Sequence, residues 1–194
     1  MAEKRHVIGG NDGWLNVKRE PGGSIVALPE YLQVEFSHNR DGRDFFKALE
    51  GGEQGKAFSV KQGNLKPGLP LYRPAAHLEF TIAAQKLAFS GGSVKAITAQ
   101  GASAVAVGTH PIQIPDFPHE LGSTYVSQSR FAKNWFYLGR GAAIPGNNDR
   151  YLHTGRVSLG CVTVDPGDWT RLYQSLILCR SGDGKTVGSI VVRR

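Results

Sequence analysis

Cysteine is scarce in this chain of 194 residues: there are two, Cys161 and Cys179. Two allow at most one disulfide, so no disulfide framework holds the fold, and a chain of this length can bury a core without one. A Cys161–Cys179 bridge stays open as an alternative to two free thiols. Long apolar runs are also missing. No segment approaches the roughly eighteen residues of a membrane span, and Met1-Ala2-Glu3-Lys4-Arg5-His6 leads into no stretch of signal-peptide length. The expectation is therefore a chain made in the cytoplasm, with no transmembrane segment and no Sec-type leader. Basic residues outnumber acidic ones, 23 to 16, for a net charge of +7. No dense Lys/Arg run, RNA-recognition motif, zinc finger or basic heptad accompanies that excess, so no nucleic-acid partner is expected. The charge favours some other anionic partner, or is a solvated surface. Internal repeats and low-complexity tracts are absent, and long helical patterns are few.

What is present is turn chemistry. Glycine numbers 25 and proline 10, against 40% apolar residues, which reads as globular and β-rich. Residues 24–28 and 31–36 read as strands, the second with clean alternation. Residues 44–49 read as a short helix after an Asn39-Arg40-Asp41-Gly42 turn, ended by Gly51-Gly52. A Pro/Gly-rich loop spans 63–74. Strands are expected at 77–82, 86–90, 94–97 and 105–114, with Pro111 marking an edge or a bulge. Residues 115–122 and 145–149 read as loops, and 135–138 as a strand. Asp165-Pro166 reads as an N-cap and first helical residue, followed at helical spacing by Trp169, Leu172, Tyr173, Leu176 and Ile177. A last strand runs over 187–192. The expected architecture is mainly β, sandwich- or barrel-like, with one or two short helices. Residues 1–75 form a β-rich extension of unreadable role, and 76–194 form the main domain.

Chemistry concentrates in Tyr151-Leu152-His153-Thr154-Gly155-Arg156-Val157-Ser158-Leu159-Gly160-Cys161. A thiol is a weak nucleophile and a thiolate a strong one, and a neighbouring imidazole can take the proton. His153 and Cys161 are the candidate base and nucleophile. Other candidates are weaker. His119, near Asp116, lies in a loop set by two prolines and either lines a cleft, orients His153 or sits on the surface. Trp135, Phe136 and Tyr137, with Tyr125 and Tyr151, are cleft wall or core. Arg156, and less so Arg150 and Arg130, are candidates for binding a carboxylate. Asp116, His119 and His153 lack the tight spacing of a zinc site. Neither a metal nor another cofactor is expected.

This order of features resembles the catalytic domain of the L,D-transpeptidases, cysteine enzymes that remodel bacterial peptidoglycan. His153 matches the family's upstream histidine. Ser158, Gly160 and Cys161 match its Ser/Thr-His-Gly-Cys turn, and Val107-Gly108-Thr109-His110-Pro111-Ile112 loosely matches an earlier strand. The likeness covers about residues 100–194. Leu159 stands where the family has a histidine and Thr163 where it has an arginine. The short spacing from His153 to Cys161 is similar to that of a divergent branch including type VI secretion effectors. The resemblance implies that Cys161 attacks a stem-peptide carbonyl with His153 as base. Amides at Gly160 and Cys161 would receive the oxyanion, Ser158 would brace the turn, and Arg156, His119 and Tyr151 would contact substrate. Resolution by an amine gives transpeptidation or D-amino-acid exchange, and resolution by water gives carboxypeptidation. The implied place of action is the periplasm or cell wall, after type VI or other non-Sec export. An antibacterial effector of this kind would need a cognate immunity protein. Two alternatives remain: a non-catalytic wall-binding module on a degenerate fold, and another cysteine peptidase or amidase.

Overall fold

The computed structural model describes residues 3–140 and 148–194. Strands β1 (Glu3–Val7), β2 (Trp14–Glu20), β3 (Ile25–Pro29), β4 (Gln33–Arg40), β5 (Arg43–Ala48), β6 (Ala57–Lys61) and β7 (Leu65–Pro67) form one sheet in the order β3-β2-β6-β5-β4-β1-β7. The helix expected at 44–49 is instead most of β5. Asp41 and Gly42 hold φ of 52° and 69°, the paired positive values of a two-residue hairpin turn whose twist suits returning strands. Asp44, Phe46 and Ala48 are buried while Phe45 and Lys47 are less so. That is a period of two, which the short apolar run concealed.

A second set follows: β8 (Arg73–Pro74), β9 (Ala76–Thr81), β10 (Lys86–Phe89), β11 (Gly92–Ile97), β12 (Gly108–Gln113), β13 (Phe136–Arg140), β14 (Asp149–Thr154), β15 (Val162–Val164), α1 (Pro166–Leu176), β16 (Cys179–Arg180) and β17 (Thr186–Arg193). Eight of these form a sheet in the order β12-β17-β9-β10-β11-β15-β14-β13. Its outermost strands, β12 and β13, lie against one another, so the sheet is a nearly closed barrel and the chain is mainly β. Pro111 sits in the outermost β12, with a bulge after Ile112. Of the loop expected at 145–149, residues 145–147 lie outside the described residues, and Asp149 already belongs to β14.

One apolar cluster runs from Val7, Leu32 and Val34 of the first sheet to Leu78, Ile112 and Leu152 of the second, and on to Trp169 and Leu172 of α1. The helix begins where its cap residues place it: the Asp165 carboxylate accepts the Gly167 N–H at 2.9 Å, with Pro166 first in the helix. The Trp169 indole N–H donates to the Phe131 carbonyl at 2.8 Å. Polar ties join the sheets. The Asn134 amide donates to Asp12 O at 2.7 Å, Tyr173 donates to the Glu30 carboxylate at 3.0 Å, and Arg180 pairs with Glu50 through two bonds of 2.8 Å. The first of these anchors the segment that leads into Trp135. Both cysteines are free thiols, Cys179 buried and Cys161 half-buried, so the bridge left open by their number is not formed.

β14 and β15 are adjacent and parallel, with Leu152 opposite Val162, His153 opposite Thr163 and Thr154 opposite Val164. Parallel neighbours usually need a crossover of about a dozen residues or more. Here only residues 155–161 intervene. The connection doubles back beside the strand it has just left and carries Cys161 with it.

Candidate active site

Leu152, Val162, Val164, Val94 and Ala96 belong to the apolar core. Alternation along a strand then sends Tyr151, His153, Cys161 and Thr163 to the outer face of the barrel. Aromatic rings cover that face. Phe117, His119, Trp135 and His153 stack in a row with successive centroid separations of 4.3, 4.4 and 4.2 Å. Beneath them is a cavity of about 190 Å³ lined by His153, Cys161, Trp135, Tyr125, Val157 and Leu159, among others. The largest cavity described, about 730 Å³, lies elsewhere, at Ile82, Thr98, Val105 and Arg194. Arg194 is its one titratable lining side chain, so the chemistry points to the smaller cavity.

His153 is buried, and both ring nitrogens are engaged. Nδ1 lies 2.7 Å from the Thr154 carbonyl and Nε2 lies 3.1 Å from the Thr163 hydroxyl. A carbonyl only accepts, so Nδ1 carries the hydrogen, Nε2 carries the lone pair, and Thr163 donates to it. Burial pushes the imidazole pKa down to about 4; the Thr154 carbonyl opposes the shift and His119 adds to it. The ring is therefore neutral at pH 7.

Cys161 reaches its place through three local contacts. The Tyr151 N–H donates to Sγ at 3.4 Å. Ser158 Oγ donates to the Cys161 carbonyl at 2.7 Å and accepts the Gly160 N–H at 3.2 Å, which closes the turn. Gly160 has φ of +133°, and a Cβ there would lie 2.3 Å from Ser103 O and 2.8 Å from Arg150 Nε. Only glycine lets the turn lie against that guanidinium. Burial pushes the Cys161 thiol up from its ordinary pKa, against the Tyr151 N–H and the nearby Arg150 charge. Thiol and imidazole are both neutral at rest, not a preformed ion pair.

The remaining sequence candidates spread around this pair. Tyr151 edges against His119 and Trp135, and its hydroxyl lies 3.4 Å from Asp116 Oδ2. Burial and then the Asp116 charge hold that hydroxyl well above the usual tyrosine range. His119 bonds Asp116 Oδ1 at 2.9 Å, and the Trp135 indole stands between it and His153. His119 therefore bears on His153 through Trp135 and makes no direct bond to it. The same indole keeps the two imidazoles from sharing one ion, whatever Asp116 does. Arg156 is exposed at the rim, with its guanidinium 3.3 Å from Gln128 Oε1. Arg130 lies over the Phe131 ring, and Arg150 is buried under the turn.

Two features of the site were not anticipated. Thr163 read as the loss of a family arginine, yet its hydroxyl is the partner of Nε2. The alternation Cys161–Thr163 was the available signal, since both must face one way. The exposed aliphatics Leu121, Val157 and Leu159, which line the cavity mouth, left no trace in the sequence.

No protein-family model matches the chain, and no curated protein matches its sequence. Two solved structures align over most of its length. L,D-transpeptidase 1 of Mycobacterium tuberculosis covers 94% of this chain and 99% of its own, with 13% identity and a TM-score of 0.36. An L,D-transpeptidase from Mycobacterium smegmatis covers 98% of this chain and 82% of its own, with 11% identity and a TM-score of 0.34. At such values the likeness assigns no residue a role, and side-chain chemistry must do so.

Proposed function

We propose that this chain is a cysteine acyl-transferase acting on peptidoglycan stem peptides, as an L,D-transpeptidase, an L,D-carboxypeptidase or both. One observation carries the chemical half of this reading: the parallel register of β14 and β15 brings His153 and Cys161 to one outer face and one cavity. The substrate half rests on the resemblance of the His153…Ser158-Leu159-Gly160-Cys161 run to that family.

The resting hydrogen bonds define the first step. Thr163 must swing its hydroxyl off Nε2 before that nitrogen can take the thiol proton. The thiolate then adds to the acyl carbonyl, and the negative oxygen that forms needs a donor. The Gly160 N–H is held by Ser158, so the Cys161 amide is the nearer candidate. Imidazolium returns its proton to the departing amine as the C–N bond breaks, leaving a thioester on Cys161. An incoming amine or water gives its proton to Nε2 and releases the acyl group. With an imidazole pKa of about 4, the base is free throughout the neutral range.

We further propose that it acts in the periplasm, as an antibacterial effector that would require an immunity protein. The deciding experiment incubates wild type and Cys161→Ala with sacculi and with soluble tetrapeptides, then profiles muropeptides by liquid chromatography and mass spectrometry. New tripeptides, exchanged terminal D-amino acids or new cross-links, absent with the variant, are expected. Sacculus binding with an unchanged profile would instead identify a wall-binding module. For the effector reading, a periplasmic leader should make wild type toxic; equal toxicity of Cys161→Ala would refute it.

A further inference from the structure

Gly155 lines two cavities. One is the Cys161 cavity; the other is a pocket of about 180 Å³ lined by Lys95, Ile97, Arg156, Thr163 and Asp165. A Cβ at residue 155 would sit 3.1 Å from Thr163 Cγ2 and 3.7 Å from His153 Cε1. Residue 155 is thus packed closely against both Thr163 and His153, and Thr163 borders the second pocket while bonding His153.

The second pocket sets two cationic side chains, Lys95 and Arg156, against one carboxylate, Asp165. None of the ion pairs among the described residues involves Lys95 or Arg156. Lys95 also lies directly opposite Lys86 across β10 and β11, an arrangement that costs stability in a bare sheet. Asp165 lies at the lip, but its carboxylate caps α1 through the Gly167 N–H. Arg156 has a neutral partner, Gln128. Two cations without an ion-pair partner, beside one carboxylate already engaged at the helix cap, leave a net positive pocket that an anionic ligand would complete.

We propose that Lys95 and Arg156 form a carboxylate subsite of the candidate active site, holding an acidic group of the acyl donor while its reactive carbonyl lies at Cys161. This rests on the cysteine acyl-transfer reading for the donor's identity, though not for the binding itself. Register sets the spacing. Ala96 faces Val164, so Lys95 faces residue 165, four residues along from Cys161 and roughly 13 Å of extended strand away. The long Lys and Arg side chains reach back over part of that distance, so the acid falls two or three residues from the attacked bond. A guanidinium offers a carboxylate two parallel bonds and the ammonium a third.

The test uses the full chain carrying Cys161→Ala, so that binding is read without turnover. Calorimetric titration compares a soluble stem tetrapeptide bearing free side-chain carboxylates with the same peptide amidated at those groups. The free acid should bind at least tenfold tighter, and added salt should erode that preference. Lys95→Met with Arg156→Met should abolish the preference and leave amide affinity within about twofold, and each single variant should do part of this. Equal affinity for acid and amide, no measurable binding of the acid, or an equal loss for both peptides in the double variant would overturn the subsite. Muropeptide turnover by wild type is measured in parallel. Charge-dependent binding without Cys161-dependent turnover would sink the enzyme reading and leave the subsite standing.

Discussion

Acid should destabilise this protein through one buried imidazole. His153 is buried, neutral and bonded at both nitrogens, with its pKa lowered from 6.5 to about 4. Between those values the unfolded chain binds a proton that the folded chain refuses. Stability is therefore complete above pH 6.5, falls as pH drops through that value, and stops falling below about 4. The full loss is about 3 kcal/mol, and the loss between pH 7 and pH 5 is about 2 kcal/mol. Urea unfolding followed by tryptophan fluorescence at pH 7, 6, 5 and 4 measures it, with His153→Gln as the reference. Other groups titrate in both proteins, so the wild-type loss minus the variant loss isolates His153. A difference of about 2 kcal/mol at pH 5 is expected. Equal pH dependence in both proteins would refute the account, and so would an NMR titration midpoint for His153 above pH 6.

Three further outcomes follow from the same geometry. Alkylation of Cys161 by iodoacetamide should rise with pH around a midpoint above the ordinary thiol value of about 8.5; a midpoint below 7 would reveal a thiolate–imidazolium pair. Thr163→Val strips Nε2 of its donor in a buried setting and should cost about 1–3 kcal/mol in urea unfolding. Gly160→Ala forces a Cβ against Ser103 O and Arg150 at a positive φ, so unfolding should show a loss of about 2 kcal/mol or more, with Cys161 becoming more accessible to thiol reagents.

The strands legible in the sequence were those with long alternation or clear punctuation. Pro111 announced an outermost strand because it lacks an N–H to share. Asp165-Pro166 announced α1 because capping is a local matter. Residues 44–49 misled because Phe45-Phe46 fits either period, and only the hairpin turn with the Asp44, Phe46 and Ala48 burial decides between them. The candidate nucleophile and base could be singled out because they sit in one short run. The ring stack was not: Phe117, His119 and Trp135 meet His153 only once the segment folds across the barrel face. Nor was the pairing of Lys95 with Arg156 in one pocket, which depends on β11 lying next to β15.

The seven-residue return from β14 to β15 makes the His153–Cys161 pair a cassette. The imidazole, the thiol and the backbone amide that touches the thiol all come from residues 151–161, fastened at both ends by the ladder of the same two strands. Such a segment has almost no slack. One residue inserted next to Val162 would either unpair β15 or turn Cys161 toward the core. Transplanting those residues onto another parallel strand pair would carry the thiol and the imidazole together, with their mutual orientation already set.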